Sequence, residues 1–530
     1  MNAHTLTVHW HDENQPVYSV HFQPNNFSSS DSTRSARLVT TGGDNNIRVW
    51  ELEHDVKGSS KSEAPVSIRY LSTLKKHTQA VNVARFNVNG DKIASAGDDG
   101  SLILWSLLEE IIKEFGDKDD DMLVESWKAD KVLRSSTSEI YDLAWSPDSR
   151  YIITGSMDNI ARIYNVSSGE LVYSLSNHSH YVQGVCWDPR NEYFATQAAD
   201  RSVIIYKVDH VNNAFTPLVY NRVIRWDIPT DKDLLIMRTC YLYHPETLQS
   251  FFRRLTFSPD GSLLLTPLGF YKATTNDQEE ATTNTIFIYT RAGFKKGPVC
   301  HIPGLKKPAT VIRFSPKIYE LQSGDDGHTT MPFKLPYRMV FAVATHDSIV
   351  IYNTEDMKPM GHVTNLHYSN ITDCTWDLNG ETLVISSADG FCSVVNFNEG
   401  VFGKILYDVN IEPEFWKQYE TKKEEETGPI KKSPSKKTKQ ESPALSKKES
   451  VVPSKKMSIL DKFIAKPLSI DMFTASFKES KETVTDTVTD TKTVTDAKSD
   501  KSESITESSS NKKKRRITPT LLTTTSLVPP

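Results

Sequence analysis

Four segments of the chain share one pattern: a cluster of small residues, an aspartate, and a β-branched run that ends in an aromatic residue. The aspartate and the aromatic residue are six positions apart in every segment. Three weaker copies follow at 281–289, 344–352 and 386–395. Such a repeat constrains the fold strongly, because each copy is a unit that cannot bury its apolar face alone. The four complete pairs are Asp44–Trp50, Asp99–Trp105, Asp158–Tyr164 and Asp200–Tyr206.

A second strand pattern lies upstream of most copies. It alternates apolar and polar residues and ends in a turn, as in IYDLAWSPDS (140–149) and ITDCTWDLNG (371–380). Alternation gives a strand one buried face, and Pro-Asp or Asn-Gly pairs close hairpins. Each repeat is therefore predicted to hold at least three antiparallel strands and a connecting fourth. Residues 5–10 are predicted to form the outer strand that closes a ring with the seventh repeat.

The pattern resembles WD40 repeats. Seven copies imply an all-β fold, a seven-bladed WD40 β-propeller over residues 1–412. For the eight repeat residues named above, the resemblance implies a structural role. Each aspartate would cap a tight turn, and each aromatic residue would pack between blades within a buried network of His and Ser or Thr. Histidines stand at matching places in degenerate Gly-His signals, at His77, His178 and His362.

The residue pattern argues against several classes of protein. The five cysteines contain no CxxC or CxxxC pair, which disfavours a zinc site and a disulfide framework. Neither a signal peptide nor a run of about 18 apolar residues occurs, so no membrane partner is expected. Nucleophile elbow, P-loop and HExxH motifs are missing, so we expect no catalytic residue, cofactor or metal. The acidic run at 117–121 is predicted to be a solvated loop.

Charge divides the chain into two parts. Residues 415–530 contain 24 Lys and Arg against 16 Asp and Glu, whereas residues 1–414 contain 38 against 51. The acidic body permits basic protein partners and disfavours wrapping of nucleic acid, so direct sequence-specific nucleic acid binding is not expected. The tail at 413–530 includes the low-complexity run 482–498 and cannot bury enough apolar area to fold alone. It is predicted to be disordered and basic.

Three insertions interrupt the repeats, at 106–129, 207–250 and 317–337. The first half of 106–129 is predicted to be an amphipathic helix. Long loops on a rigid scaffold often carry binding residues. The sequence does not indicate which propeller face these insertions occupy.

The tail contains an apolar island at 457–477. Its Leu460-x-x-Phe463 spacing resembles a sliding-clamp binding box, but Met457 stands where that box has Gln. A helix that folds on some other partner is the alternative. In the same tail, Ser433 precedes a proline and basic residues, which predicts phosphorylation by a proline-directed kinase.

The whole organisation resembles one family, the middle, WD40 subunit of chromatin assembly factor one. The resemblance rests on TTGGDNNIRVW (40–50) and on HTQAVNVARFNVNGDKIASAGDDGSLILW (77–105). It covers about residues 1–400 and resumes at KRRITPTLL (514–522). That last stretch is similar to the B-domain motif, which is shared with the subunit for replication-independent histone deposition. In both families the motif docks on the anti-silencing histone chaperone, so the resemblance implies that partner.

The terminal motif, residues 512–522, has two expected roles. Its apolar side chains would enter a sheet-edge groove of the chaperone by β-augmentation, and pairing would skip Pro519 because it has no N–H. The residues expected to bind the chaperone are Arg515, Arg516, Ile517, Thr518, Pro519, Leu521 and Leu522. A nuclear localisation signal, and hence a nuclear protein, is predicted from Lys512, Lys513, Lys514, Arg515 and Arg516. Both roles can hold together.

The resemblance implies a non-catalytic scaffold in a complex that deposits histones H3 and H4 onto newly replicated DNA. The propeller would hold the large subunit, in a complex with a small subunit, and the tail would recruit the chaperone. Direct contact with histones is left open. One alternative is the subunit for replication-independent deposition, which the eight residues after Leu522 disfavour because those chains usually carry a further domain. The others are a WD40 substrate receptor of a ubiquitin ligase and an enzyme.

Overall fold

Seven sheets arranged as blades dominate the described part of the chain. Within it there are 31 β-strands, two short 3-10 helices and no α-helix. A separate two-stranded hairpin forms the eighth sheet. The prediction of an all-β, seven-bladed propeller is confirmed. The computed structural model describes residues 1–29, 33–55, 66–112, 122–211, 214–229, 237–248, 250–274, 280–322, 332–333 and 335–408.

The first four blades follow one another along the chain, after a first strand that belongs to blade 7. In chain order the strands are β1 (Asn2–Leu6); for blade 1, β2 (Val17–Ser29), β3 (Thr33–Gly42), β4 (Asn46–Asp55) and β5 (Val66–Lys75); for blade 2, β6 (Val81–Phe86), β7 (Lys92–Gly97), β8 (Leu102–Leu107) and β9 (Trp127–Leu133); for blade 3, β10 (Ile140–Trp145), β11 (Tyr151–Ser156), β12 (Ala161–Asn165) and β13 (Leu171–Leu175); for blade 4, β14 (Val182–Trp187), β15 (Tyr193–Ala198), β16 (Val203–Val211) and β17 (Ala214–Val223).

The hairpin stands between blades 4 and 5, and the last strand returns to blade 6. The remaining strands are, for the hairpin, β18 (Arg225–Pro229) and β19 (Met237–Tyr241); for blade 5, β20 (Thr256–Phe257), β21 (Leu263–Thr274), β22 (Glu280–Thr290) and β23 (Cys300–Leu305); for blade 6, β24 (Ala309–Tyr319), β25 (Arg338–Thr345), β26 (Ser348–Asn353), β27 (Pro359–Thr364) and β31 (Ile405–Asp408); for blade 7, β28 (Ile371–Trp376), β29 (Thr382–Ser387) and β30 (Cys392–Asn396). The 3-10 helices are Asp12–Asn14 and Arg291–Gly293.

The N-terminal strand closes the ring. β1 is the outer strand of blade 7 and pairs antiparallel with β30, with Leu6 opposite Cys392. The predicted closure is therefore confirmed, although the strand covers 2–6 rather than 5–10. Pairing ends at Leu6 because the chain turns there, and the Trp10 N–H donates to the Val8 carbonyl at 3.0 Å.

The apolar core lies between neighbouring blades. Trp10 is fully buried and packs edge-to-face on Trp50, with ring centroids 5.0 Å apart. Between blades 2 and 3, Leu104 and Tyr164 belong to one buried cluster. Burying a large apolar side chain stabilises the fold by roughly 1.5–3 kcal/mol, so these seams carry much of the stability. This is why the repeat sequence places an aromatic residue at the end of the third strand.

Antiparallel order fixes what lies at each end of the ring. Turns between second and third strands, and connections between blades, share one end, which we name the upper face. Connections between first and second strands, and between third and fourth strands, lie at the other end, the lower face. The hairpin of β18 and β19 connects two blades and is therefore on the upper face. The insertion at 107–126 joins the third and fourth strands of blade 2 and is on the lower face.

The insertions are mostly extra strand. The prediction of a helix in the first half of 106–129 is wrong for the described residues 106–112. Backbone hydrogen bonds hold this segment in an extended conformation. Leu108 N–H donates to the Ser126 carbonyl at 2.9 Å. Residues 113–121, including the acidic run, lie outside the described part.

The other two insertions lengthen blades that the sequence already predicted. Within 207–250, β16 and β17 extend their ladder and β18 and β19 form the hairpin. At 317–337, β24 continues to Tyr319, where it pairs with β25 on one edge and β31 on the other. These extra strands place backbone edges on both faces of the ring.

Candidate functional site

Blade 2 contains a hydrogen-bond network at the upper face, which we name the rim network. His77 enters the blade with Nδ1 3.0 Å from the Asp99 carboxylate. Its Nε2 is 2.8 Å from the Ser95 hydroxyl, to which the Trp105 indole N–H donates at 2.9 Å. Because a carboxylate only accepts, Nδ1 donates to Asp99, and a neutral imidazole then accepts at Nε2. The network joins the blade entry to its second and third strands.

Blade 1 repeats the rim network. His11 Nδ1 is 2.7 Å from Asp44, and His11 Nε2 is 3.1 Å from the Thr40 hydroxyl. The Trp50 indole N–H also donates to Thr40, at 2.9 Å. Burial would raise the pKa of the Asp44 carboxyl, but the hydrogen bond and charge of His11 outweigh it and lower the pKa to about 2. In blade 2, burial is likewise outweighed by the bond and charge of His77, which lower the pKa of Asp99 to about 2.

Blade 4 has the rim network with tyrosine in place of tryptophan. His178 Nδ1 is 3.3 Å from Asp200, and its Nε2 is 2.7 Å from the Thr196 hydroxyl. The Tyr206 hydroxyl donates to the Asn177 side chain at 3.1 Å. Burial opposes ionisation of Asp200, yet the bond from His178 holds the pKa of this carboxyl well below its usual range.

Blade 3 keeps the aspartate without a histidine. Asp158 accepts from Arg162 at 3.0 Å and from the Ser136 and Ser156 hydroxyls at 3.0 and 2.6 Å. Burial raises the pKa of Asp158, but these partners, Arg162 first, lower it to about 2. Tyr164 at the end of the third strand shares a hydrogen bond with the Ser135 hydroxyl. The turn is thus held by an arginine where other blades use an imidazole.

In blade 7 the rim histidine is not the one expected from the sequence. His367 Nδ1 is 3.1 Å from Asp389, whereas His362 lies on β27 and takes no part. The assignment of His362 is therefore wrong. Sequence reasoning also missed His11 in blade 1. A signal for His367 exists, since the interval from histidine to aspartate is 22 residues in blades 2, 4 and 7.

A buried arginine occupies the axis of the ring. Arg254 precedes β20, is fully buried, and lies 2.9 Å from the Asp373 carboxylate of blade 7. Its guanidinium also donates to the Tyr18, Thr372 and Asn82 carbonyls at 2.9–3.0 Å. These acceptors belong to blades 1, 7 and 2. One side chain of blade 5 therefore joins the far side of the ring, which no repeat pattern predicts.

Below this arginine a funnel opens on the lower face. The cavity has a volume of about 380 Å³ and is lined by the first strands of all seven blades. Arg85 and Arg313 point to Asp373 at 2.6 and 3.2 Å. Burial raises the pKa of Asp373, but Arg254, Arg85 and Arg313 hold it well below its usual range. Three arginines from blades 2, 5 and 6 therefore share the Asp373 carboxylate of blade 7, and these contacts join the blades around the axis.

Comparison with known proteins agrees with this architecture. The family described as CAF1B/HIR1 beta-propeller domain matches residues 1–402, which is most of the chain.

The chain belongs to the CAF1B/HIR1 β-propeller family.

Its relatives within this family are named for two proteins. The chain is 42% identical over 429 residues to the B-type subunit of chromatin assembly factor 1 from Saccharomyces cerevisiae, an alignment that covers 76% of this chain and 87% of the yeast protein. The chain is 35% identical over 413 residues to the B-type subunit from Mus musculus, and this alignment covers 76% of this chain and 68% of the mouse protein. Protein HIR1 of Kluyveromyces lactis is 27% identical over 421 residues, and the alignment covers 77% of this chain and 45% of that protein. The sequence-based resemblance to the WD40 subunit of chromatin assembly factor one is confirmed.

Three features of the described residues of this family member bear on metal binding, membrane crossing and cysteine chemistry. Within it, no group of three or more His, Cys, Asp or Glu side chains could hold a metal ion. No described helix has the length and apolar character that crossing a bilayer requires. The cysteines are unpaired, and burial raises the pKa of the Cys300 and Cys374 thiols to about 12. The terminal motif 512–522, the island 457–477 and Ser433 lie outside the described residues.

Proposed function

We propose that this chain is the non-catalytic WD40 scaffold subunit of a nuclear chromatin assembly complex that deposits histones H3 and H4 onto newly replicated DNA. The observation that carries the proposal is the match of the whole propeller, residues 1–402, to the CAF1B/HIR1 family. Relatives named as subunits of chromatin assembly factor 1 share 33–42% identity. The rim networks support a scaffold role, because their polar side chains are bonded to one another.

Replication-independent deposition is the second candidate, since the family also includes HIR1 proteins. Those relatives share 25–27% identity, and the alignments cover 37–48% of their length. The higher identity to the first group favours the replication-coupled complex. Reconstitution with purified large and small subunits tests this choice. A stable three-subunit complex that assembles nucleosomes on replicating DNA supports the proposal, and association with HIR-complex subunits alone would contradict it.

The proposed docking surface for the large subunit is an apolar ledge on the lower face of blade 2. The Val124 N–H donates to the Leu71 carbonyl of blade 1 and the Ile112 N–H to the Ser126 hydroxyl, both at 2.9 Å, so the ledge is held on the ring. Exposed apolar side chains grouped on one connection are typical of interaction surfaces. The exposed fractions are Ile111 51%, Ile112 58%, Met122 66% and Val124 42%.

A charge-insertion test separates this surface from the rest of the ring. The variant Ile111→Asp/Ile112→Asp should lose binding to the large subunit, because a carboxylate would be buried without a partner. The matched control is Leu171→Asp/Val172→Asp on the outer strand of blade 3, where the side chains are 40% and 39% exposed. Equal loss in both variants, or none in the first, would exclude the ledge. Size-exclusion chromatography with the large subunit is the measurement.

The tail motif is proposed to bind the anti-silencing histone chaperone. A peptide of residues 510–524 contains all the expected contacts, and a strand-adding segment with a few apolar anchors should bind with about −7 to −9 kcal/mol. Ile517→Ala should cost about 1–3 kcal/mol if that side chain fills a pocket. Thr524→Ala, outside 512–522, is the control. Calorimetry that detects no binding of the unmodified peptide, or equal binding of Ile517→Ala, contradicts the assignment.

Nuclear import is the second proposed role of the motif, and the two roles can be separated. Replacing Arg515 and Arg516 with alanine should weaken chaperone binding, and the loss should shrink in high salt because surface charges are screened. The same change should reduce nuclear accumulation of the full chain. Ile517→Ala should leave import intact. If both variants import normally, the cluster is not the localisation signal.

A further inference from the structure

A second cavity lies on the upper face between blades 4 and 5. Its volume is about 440 Å³. One wall is β19, with Cys240 and Tyr241, and the opposite wall is the extended hairpin of β21 and β22, with Phe270 and Thr282. Arg201, in the turn between β15 and β16, lies beside it. We name this space the upper cavity. It is distinct from the axial funnel, which opens on the lower face.

Arg201 lines the upper cavity, and Arg225, which is not part of the lining, stacks on the same tyrosine ring. The Arg201 guanidinium lies 4.6 Å from the centre of the Tyr241 ring, and that of Arg225 lies 4.0 Å from the same centre. Arg225 also donates to the Tyr241 hydroxyl. Among the described residues, no carboxylate comes within ion-pair distance of either arginine. The hydrogen bond from Arg225 and the charges of both arginines lower the pKa of Tyr241.

A third arginine adds positive charge beneath the cavity. Arg253 is 1% exposed, and its guanidinium donates to the His244 and Pro245 carbonyls at 3.1 and 3.3 Å and to Gln183 at 2.7 Å. Neutral oxygens satisfy these donors without cancelling the charge. Burial lowers the pKa of Arg253 to about 10, so the side chain stays cationic near neutrality. Burial, with Arg253 and Arg201 nearby, lowers the pKa of His244, so the histidine adds no charge there.

This group of positive charges is unusual on the acidic body. Residues 1–414 carry 38 basic against 51 acidic residues, yet the cavity walls in the described structure contain no Asp or Glu. Asp200, next to Arg201 in sequence, is already bonded to His178 and lies 3.2 Å from Arg222. Within the described residues, Arg201 and Arg225 therefore have no carboxylate that would compete with an external anion.

The backbone beside the cavity favours a peptide over a small anion. Within the described residues β19 pairs with β18 only, but directly after it the chain bridges to β21, where the Phe270 N–H donates to the Leu242 carbonyl at 2.9 Å. The open edge is therefore residues 239–241, which line the cavity. A strand with one unpaired edge can accept another extended segment. Apolar surface from Phe270 and Tyr241 stands next to the charged groups. An extended segment that pairs along β19 can thus bring an acidic side chain to Arg201 and, because side chains on one face are two positions apart, another side chain of the same face to the rings.

We propose that the upper cavity binds an extended acidic peptide segment of a partner protein, with an Asp or Glu carboxylate held by Arg201 and with Arg225 adding positive charge nearby. The chemistry is that of charge-assisted hydrogen bonds from guanidinium to carboxylate. This site goes beyond the proposed function, which assigns nothing to the upper face. Its test needs the chain alone, so it can fail while the chromatin assembly role stands.

The test is fluorescence polarisation of the full chain with a labelled peptide in which glutamate alternates with valine. The variant Arg201→Gln/Arg225→Gln should weaken binding by about tenfold or more. Its control, Arg69→Gln/Arg150→Gln, removes the same charge from exposed arginines that already face carboxylates, at Glu51 and Asp148. The control should bind like the unmodified chain, and affinity should fall as salt rises.

A second variant protects the test against a folding defect. Thr282→Trp would fill the cavity from the exposed end of β22 without changing charge, and it should also block the peptide. Equal weakening in the control, or unchanged binding in either cavity variant, would overturn the proposal. So would preferential binding of a phosphoserine–valine peptide, a lysine–valine peptide or duplex DNA of equal charge. Thermal melting of every variant verifies that the ring is intact.

Discussion

Blades 2 and 5 solve the same structural problem with different chemistry. In blade 2, the Ser95 hydroxyl links the blade entry to the third strand through His77, Asp99 and Trp105. In blade 5, the Tyr243 hydroxyl lies 2.8 Å from Thr266 and 2.7 Å from Tyr289, with no acidic residue. Both networks occupy the same positions on the second and third strands. What the fold requires there is a hydrogen-bonded bridge, and a charge is one way to build it.

Blade 5 carries its charge elsewhere. Arg254 extends from the start of this blade to Asp373 on the axis. At the boundary with blade 4, Arg291 pairs with the buried Asp188 at 2.7 Å. Blades 1, 2 and 4 thus hold an aspartate carboxylate bonded to a histidine within the blade, whereas blade 5 uses its charges between blades. The comparison predicts that substitutions in the network of blade 2 destabilise mainly that blade, whereas substitutions of the charged residues of blade 5 destabilise several blades.

Deleting residues 1–10 should lower the stability of the fold more than any other change, because it opens the ring itself rather than one hydrogen-bond network. The deletion removes β1 from blade 7 and the fully buried Trp10. Loss of a buried tryptophan alone costs about 3–5 kcal/mol. Thermal unfolding followed by circular dichroism should show a much lower midpoint and aggregation. As a control, His9→Ala changes a less buried position in the same segment and should melt like the unmodified chain. An unchanged midpoint after the deletion would exclude closure by β1.

Arg254→Met should rank second. It leaves the buried Asp373 carboxylate short of a partner and three carbonyls without a donor, and breaking a buried ion pair costs about 3–5 kcal/mol. Arg253→Met is the matched control, since that side chain is equally buried but bonds to neutral oxygens, and it should cost less. Urea unfolding measures both. A larger loss for Arg253→Met would show that the axis does not depend on its charge.

Asp99→Ala should weaken blade 2 by a smaller amount. The change removes the acceptor for His77 and for the Thr78 and Ser101 N–H groups, and stranded buried donors cost about 1–3 kcal/mol. Hydrogen exchange should report the loss mainly in the strands of blade 2. Protection lost equally in all blades would contradict a local role for the rim network.

Tyr243→Phe should cost less again. It removes one hydroxyl that bridges Thr266 and Tyr289 while the ring still packs, so a loss of about 0.5–1.5 kcal/mol is expected. Phe270→Tyr, which adds a hydroxyl at the half-buried neighbour, serves as a control for changes that leave the bridge intact. Denaturant titration separates the two variants. If Tyr243→Phe lowered the free energy of unfolding more than Asp99→Ala does, the carboxylate in the blade 2 network would not be the stronger of the two bridges.

Acid should also distinguish the two kinds of blade, because only one kind depends on an ionised carboxyl. The rim carboxyls Asp44, Asp99 and Asp158 have pKa values of about 2 in the folded chain, against an ordinary value of 3.8. Because the folded-state pKa is depressed, their contribution to stability is full above the ordinary value and is lost as the pH falls toward the folded one. The urea midpoint should therefore drop over this window. Asp99→Ala should flatten the dependence, and Tyr243→Phe should not.

The sequence predicts the blades well because each repeat carries its own strands and turns. The closing strand followed from the same reasoning, since seven blades need an outer strand for the last. Blade 5 shows the limit: without an aspartate in 281–289, nothing in the pattern indicates the bridge through Tyr243 and Tyr289. Arg254 is less predictable still, because its acceptors lie 118–236 residues away in the chain. The upper cavity depends on an insertion whose fold no repeat describes.

Affinity purification of the intact chain, followed by mass spectrometry, tests the proposed identity of the scaffold most directly. Large and small subunits of the chromatin assembly complex should co-purify in stoichiometric amounts with both the unmodified chain and Ile517→Ala. The anti-silencing chaperone should be present with the first and depleted with the second. Recovery of cullin adaptors, or of HIR-complex subunits without the large subunit, would contradict a role in replication-coupled deposition.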